Sequence, residues 1–170
     1  MRLKKFILAC LFLFPFTFTN GQVAKLQSVF IYNFTKYIDW PASYAGGDFV
    51  IGVLGDSPII TELNNMASQR KVGNQAIEVK KFNSPSEITK CHILFIPANQ
   101  SENFDQAKQK IGNNNFSTLL ITEKEGMASQ GAAINFVIRN NKQKFELKAS
   151  NASQYGLQIS SKLEALAINL

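Results

Sequence analysis

The spacing of hydrophobic and polar positions changes repeatedly along this chain. Phe6 to Phe18 is an apolar run interrupted by Thr17 and ended by Thr19, Asn20 and Gly21. From Ala24 to Ile38 the period becomes helical: Leu26, Val29, Phe30, Asn33, Phe34 and Tyr37 recur on one stripe, and Pro41 follows Trp40. That spacing predicts a long amphipathic helix closed by the proline. Phe49 to Leu54 is a continuous apolar, β-rich run, and Gly55-Asp56-Ser57-Pro58 then supplies a turn, a capping side chain and a proline suited to a first helical turn. A strand is expected to pass into a helix there.

The unit repeats downstream. Ile77 to Phe82 reads as a strand, Ser84-Pro85-Ser86-Glu87 as a short helix start, and His92 to Ile96 as a buried strand stopped by Pro97. Asn103 to Ile111 has helical spacing and Thr118 to Thr122 is another buried strand. The ending differs: Ala133 to Ile138 and Gln143 to Leu147 are strand-like about the polar turn Arg139 to Lys142, which predicts an antiparallel hairpin. Two short helices follow, near Asn151 to Tyr155 and from Ser161 onward. Strands alternating with helices imply a mainly parallel sheet. The expected fold is α/β, a single three-layer domain with helices flanking the sheet and the hairpin at its edge.

The first apolar run changes the domain picture. Arg2, Lys4 and Lys5 precede it and small or polar residues end it, the pattern of a secretory signal cut near Gly21. The run is shorter than the roughly 18 residues a membrane span needs, and Pro15 breaks it. Only four apolar residues separate Cys10 from Lys5, with the run continuing beyond it, a poor position for lipid attachment. Residues 1–21 are therefore expected to leave, and residues 22–170 to form the domain. Those first residues hold three bases and no acid, so the remaining 149 residues keep +3 of the chain's +6. Only Arg70 and Arg139 remain as arginines, the side chain that reads phosphates and bases in pairs of bonds, and no nucleic-acid partner is expected.

Most catalytic chemistry fails on the residues present. His92 is the only histidine, and Cys91 beside it on a strand would point to the opposite face, which rules out a local thiol–imidazole pair. One histidine and one retained cysteine fall short of a zinc site, so no metal and no cofactor are expected. No disulfide can close within the exported chain if Cys10 leaves, and Cys91 is expected to be a buried, inert thiol. The acids show no spacing that marks a pair for acid–base work. Gly55, Asp56 and Ser57 follow the first predicted sheet strand, where open α/β sheets bind ligands, and they form a candidate ligand loop beside the plainer reading of a capped turn. Ser160-Ser161-Lys162 reads as a helix cap with a solvated lysine rather than as a nucleophile.

The densest feature is the aromatic segment: Phe30, Tyr32, Phe34, Tyr37 and Trp40 fall within the eleven positions from 30 to 40. A helix covering a sheet needs one apolar stripe, and Phe30, Phe34 and Tyr37 belong to it. Ile31 and Tyr32 project away from its centre and are expected to face outward, with Trp40 and Tyr44 nearby, as a surface for a partner or a ligand.

Phe30-Ile-Tyr-Asn-Phe-Thr-Lys-Tyr-Ile-Asp-Trp-Pro41, Ile51-Gly-Val-Leu-Gly-Asp56, Cys91-His-Ile-Leu-Phe-Ile96, Gly131-Ala-Ala-Ile-Asn-Phe-Val137 and Leu157-Gln-Ile-Ser-Ser-Lys-Leu163 together resemble the YfiR-type periplasmic regulators. The blocks cover essentially the whole exported chain. The resemblance implies a non-enzymatic periplasmic protein, often a homodimer, that represses a membrane-bound diguanylate cyclase through its periplasmic sensor region, in the cyclic-di-GMP pathway tied to biofilm formation. Some members are sequestered by an outer-membrane lipoprotein. It also implies that first-helix aromatics, here Phe30, Tyr32, Phe34, Tyr37 and Trp40, contribute to the surface used for ligands or partners. Better-studied relatives carry several cysteines that form disulfides, and this chain departs from them in retaining Cys91 alone.

Two classes of function stand open on the sequence. One is an interaction protein that binds the periplasmic region of an inner-membrane signalling protein, a diguanylate cyclase or a histidine kinase. The other is a small-ligand sensor or carrier whose pocket is lined by the aromatics and the Gly55-Asp56-Ser57 loop.

Overall fold

The computed structural model describes residues 20–170, so the export segment expected over residues 1–21 lies outside the described residues apart from its last two. The first helix, α1, runs Asn20–Phe34 and stops four residues short of the expected end. Thr35 ends it: its hydroxyl donates to the Tyr32 carbonyl at 2.7 Å, and the N–H groups of Thr35, Lys36 and Tyr37 close tight bonds three residues back. Side chains that bond locally in this way compete with the helical ladder. Ile38–Asp39 instead forms a short strand, β1, antiparallel to β9 at Gln158–Ile159. A distant pairing partner overrides the helical period there.

The face of α1 that packs also differs from the expected one. Its buried positions are Ala24, Gln27, Ser28, Ile31 and Phe34, whereas Leu26 is 37% and Val29 49% exposed. At 100° per residue the packed stripe is rotated by about a third of a turn from the one expected. Ile31, expected to face outward, is wholly buried. Small residues at 24 and 28 let the helix lie close to its support, and Ile31 and Phe34 fill the space below.

The central sheet holds eight strands in the order β10-β8-β7-β6-β5-β2-β4-β3. In chain order these are β2 Phe49–Leu54, β3 Lys71–Val72, β4 Gln75–Phe82, β5 Ile93–Ile96, β6 Leu119–Thr122, β7 Ile134–Arg139, β8 Lys142–Leu147 and β10 Ile168–Asn169. The pairs β2–β4, β2–β5, β5–β6 and β6–β7 are parallel. The expected hairpin is β7–β8, antiparallel through a two-residue turn at Asn140 and Asn141, whose φ of 52° and 54° suit a primed turn. The hairpin does not form the edge of the sheet: β10 adds to β8 in parallel and covers it.

Alternate side chains of the strands feed two cores. On one face Ile51, Val53, Ile93, Phe95, Ile121, Phe136 and Phe145 pack with α1 and with α2 (Ile59–Ala67). On the other, Leu54, Phe82, Leu94, Ile96 and Leu120 pack under α3 (Phe104–Asn113) and α4 (Met127–Gln130). The helices α5 (Ala149–Ser153) and α6 (Ser161–Glu164) complete one three-layer α/β domain, with the Ser160 hydroxyl capping α6 through the Lys162 N–H as expected. Asn135 is buried mid-strand in β7 yet bonded: the Thr122 hydroxyl donates to it at 2.7 Å, and its own amide donates to Glu146 at 3.0 Å. Such a row is tolerated because every member is partnered.

Candidate functional site

The strand order places a crevice at one end of the sheet. From β2 the chain crosses through α2 to β4 on one side, whereas from β5 it crosses through α3 to β6 on the other. Open α/β sheets bind ligands where that direction reverses, outside the carboxyl ends of the strands. Here that point carries a cleft of about 270 Å³, walled by Asp56, Ser57 and Pro58 after β2, Pro97, Ala98 and Asn99 after β5, Glu123 after β6, and Val23, Ala24 and Gln27 of α1. Two members of the expected ligand loop, Asp56 and Ser57, therefore lie in its wall. Gly55 beside them has φ +70°, and a Cβ there would fall 2.6 Å from the Gln100 side chain, so the close turn requires glycine. Ser57 Oγ accepts from the Ile59 N–H at 3.4 Å, while Asp56 pairs with Lys81.

Trp40 and Tyr44 occupy the opposite end of the sheet, at the start of β2 and β5. The Trp40 indole N–H donates to the His92 carbonyl at 3.0 Å, and its ring stands edge-on to Phe49 at 5.1 Å. Tyr44, expected on the outer surface, is buried; its hydroxyl accepts from the Ser117 N–H at 2.8 Å and its ring meets His92 at 5.0 Å. His92 itself lies stacked on Phe49 at 4.1 Å. Nδ1 accepts from the Val50 N–H at 3.0 Å, so in the neutral ring Nε2 bears the proton and donates to the Tyr44 carbonyl at 2.9 Å. Burial lowers the imidazole pKa below its ordinary value, and nearby Lys90 acts in the same direction. Both nitrogens are committed to the backbone, which makes His92 a structural clamp. On the opposite face Cys91 is wholly buried, with its thiol pushed up to about 12 by desolvation, and Thr118 donates to its carbonyl at 2.7 Å.

The remaining aromatics divide along α1. Tyr32 is half-buried on the flank toward α2, its ring between Lys36 Nζ at 4.9 Å and Arg70 Cζ at 5.0 Å, and its hydroxyl donating to the Lys71 carbonyl at 3.4 Å. Phe34 is buried against Phe145 at 4.9 Å. Phe30 is half-buried beside Phe34, Phe136 and Phe145. Phe30, Asn33, Phe34 and Tyr37 form one wall of an apolar groove of about 330 Å³, with Phe145, Leu163 and Leu166 opposite. Leu166 is 68% exposed at its rim.

Val29 and Leu26 lie one and two turns before the groove residue Asn33 on the same side of α1. Along α1 and this groove the exposed apolar surface is thus Leu26, Val29, the rim of Phe30 and Leu166, a different set from the Ile31, Tyr32, Trp40 and Tyr44 expected; Ile138 and Leu170 are exposed elsewhere. The available signal was the polar pair Gln27-Ser28. Flanked by Ala24, Ile31 and Phe34 at helical spacing, it marks a second stripe, and close approach and side-chain bonding place that stripe inward. Leu163 and Leu166 could not be joined to α1 from sequence spacing, because the β1–β9 pairing brings them there.

Among the described residues no helix is long and apolar enough to cross a membrane, and no group of three or more His, Cys, Asp and Glu side chains is placed to hold a metal ion. Compared with known proteins, the chain matches the family model described as YfiR/HmsC-like over residues 24–168. No curated protein matches it.

Proposed function

Since this chain belongs to the YfiR/HmsC-like family, a family of periplasmic regulators in the cyclic-di-GMP pathway, we propose that it is a non-catalytic repressor of an inner-membrane diguanylate cyclase, acting on the enzyme's periplasmic region. One observation carries the partner reading: α1 turns Leu26 and Val29 to solvent while it buries Gln27 and Ser28. Exposing two aliphatic side chains and burying two polar ones gives up hydrophobic stabilisation, at about 25 cal/mol per Å² of apolar area. A helix that presents an apolar stripe continuous with an apolar groove is shaped to receive another hydrophobic element. The partner surface is therefore assigned to Leu26, Val29, Phe30, Tyr37 and Leu166, with Tyr32 and Trp40 holding α1 and the following turn in place. Export of the chain by removal of residues 1–21 is part of the same proposal.

Cellular cyclic-di-GMP tests this reading. Deleting the protein should raise the nucleotide level, wild-type protein should restore it, and a Leu26→Ser, Val29→Ser variant with unchanged thermal unfolding should fail to do so. A nucleotide level that ignores the deletion would overturn the assignment.

A further inference from the structure

We propose that the cleft at the carboxyl ends of β2, β5 and β6 is a binding site for a small molecule bearing an ammonium group, with Glu123 as its counter-ion. The site is separate from the apolar surface of α1 and does not depend on the partner reading. Its position at the reversal of strand order is where this class of sheet gathers loop residues around a ligand. Its volume, about 270 Å³, equals that of about nine waters at 30 Å³ each, room for a compound of comparable non-hydrogen count.

The wall is built rather than incidental. Gln27 lies on the packed stripe of α1 and is only 4% exposed, where an aliphatic side chain would otherwise stabilise the helix. Its amide instead donates to Glu123 Oε2 at 3.0 Å, and the Ala98 N–H donates to Oε1 at 3.0 Å. Each carboxylate oxygen thus spends one acceptor position on the protein and keeps another, since a carboxylate offers about four. The two bonds fix the carboxylate on the cleft wall without neutralising its charge.

Charge and shape then select the ligand. Among the described residues acidic Asp56 and Glu123 line the cleft and no lysine or arginine does, although bases outnumber acids in the chain. Asp56 is paired with Lys81. Among the described side chains Glu123 remains as the unbalanced charge, next to the apolar surfaces of Val23, Pro58 and Pro97. An ammonium group on a short apolar body meets both features, and charge-assisted hydrogen bonds of this kind are the strong ones. A carboxylate or phosphate would be repelled. Because Gln27 joins α1 to Glu123, a ligand held there also bears on the helix that carries the exposed stripe.

The test uses the exported protein and three matched pairs: ethanolamine with ethylene glycol, cyclohexylamine with cyclohexanol, and 1,4-diaminobutane with 1,4-butanediol, each by calorimetry and by thermal unfolding. At least one amine should bind saturably and raise the melting temperature while its alcohol does neither. Glu123→Gln, which keeps an acceptor for the Ala98 N–H, should weaken that amine on the order of tenfold. Val23→Lys, which places the protein's own ammonium at the cleft, should abolish binding in a folded protein, and Leu170→Ser, exposed just after β10 at the far edge of the sheet, should leave it unchanged. Equal behaviour of amine and alcohol, undiminished binding by both Glu123→Gln and Val23→Lys, or no amine binding at millimolar concentration would each overturn the proposal.

Discussion

Truncating Ile31 and truncating Val29 should have opposite consequences, although the two are near neighbours on one helix. Ile31 is wholly buried beneath α1, so Ile31→Ala removes three carbon groups from a filled space. At about 0.8 kcal/mol per buried group the transfer loss is about 2.4 kcal/mol. The unfilled cavity adds to it, within the 2–5 kcal/mol typical of such changes. For a domain of this size about 3 kcal/mol corresponds to a drop of roughly 6–12 °C in melting temperature. Val29 is half-exposed, and Val29→Ala also improves helix propensity, so its effect should stay within about 0.5 kcal/mol. Thermal unfolding by circular dichroism, with a urea series to show an unchanged m-value, measures both. Comparable losses for the two variants, or a shift below about 2 °C for Ile31→Ala, would place α1 in a different rotation and remove the basis for the outward stripe.

Other expectations follow from particular side chains. The folded state holds His92 neutral with its pKa lowered, so the unfolded chain takes up the proton first as pH falls through about 6.5. Stability from His92 should be full above that pH and decline below it toward the lower folded value. His92→Gln should flatten the pH dependence of urea unfolding in this window. Cys91 is buried with its pKa near 12, so a thiol reagent should label it in urea and leave the native protein unmodified. Gly55→Ala forces a side chain into φ +70° against Gln100 and should cost about 1 kcal/mol or more, read as a lower urea midpoint.

Much of the architecture was legible because strong, local signals agree with the fold. Phe49 to Leu54 is β2 to the residue, and the apolar runs at Ile93 and Leu119, with helices between, fall where a parallel sheet puts them. Strands β1, β3, β9 and β10 were not legible: each has two residues, too short for any period, and is defined by its partner across the chain. The candidate site fared unevenly for a related reason. Asp56 and Ser57 could be placed because a turn after a buried strand is a local feature. The facing of α1 could not, because two stripes compete on that helix. Helical spacing favoured the more apolar one, Leu26 to Tyr37, whereas the packed one carries Gln27 bonded to Glu123, far away in sequence. The burial of Tyr44 is likewise hidden from local sequence, because its partners, His92 and Ser117, lie in distant segments just before β5 and β6.

The central claim is that the outward stripe of α1 engages an inner-membrane signalling protein, and co-purification from solubilised membranes tests it most directly. Tagged wild-type protein should recover a membrane protein with a periplasmic region and a cytoplasmic diguanylate cyclase domain, and the Leu26→Ser, Val29→Ser variant, equally stable, should lose it. Recovery of that partner by the variant at wild-type yield, or recovery by the wild type of only soluble proteins, would contradict the account.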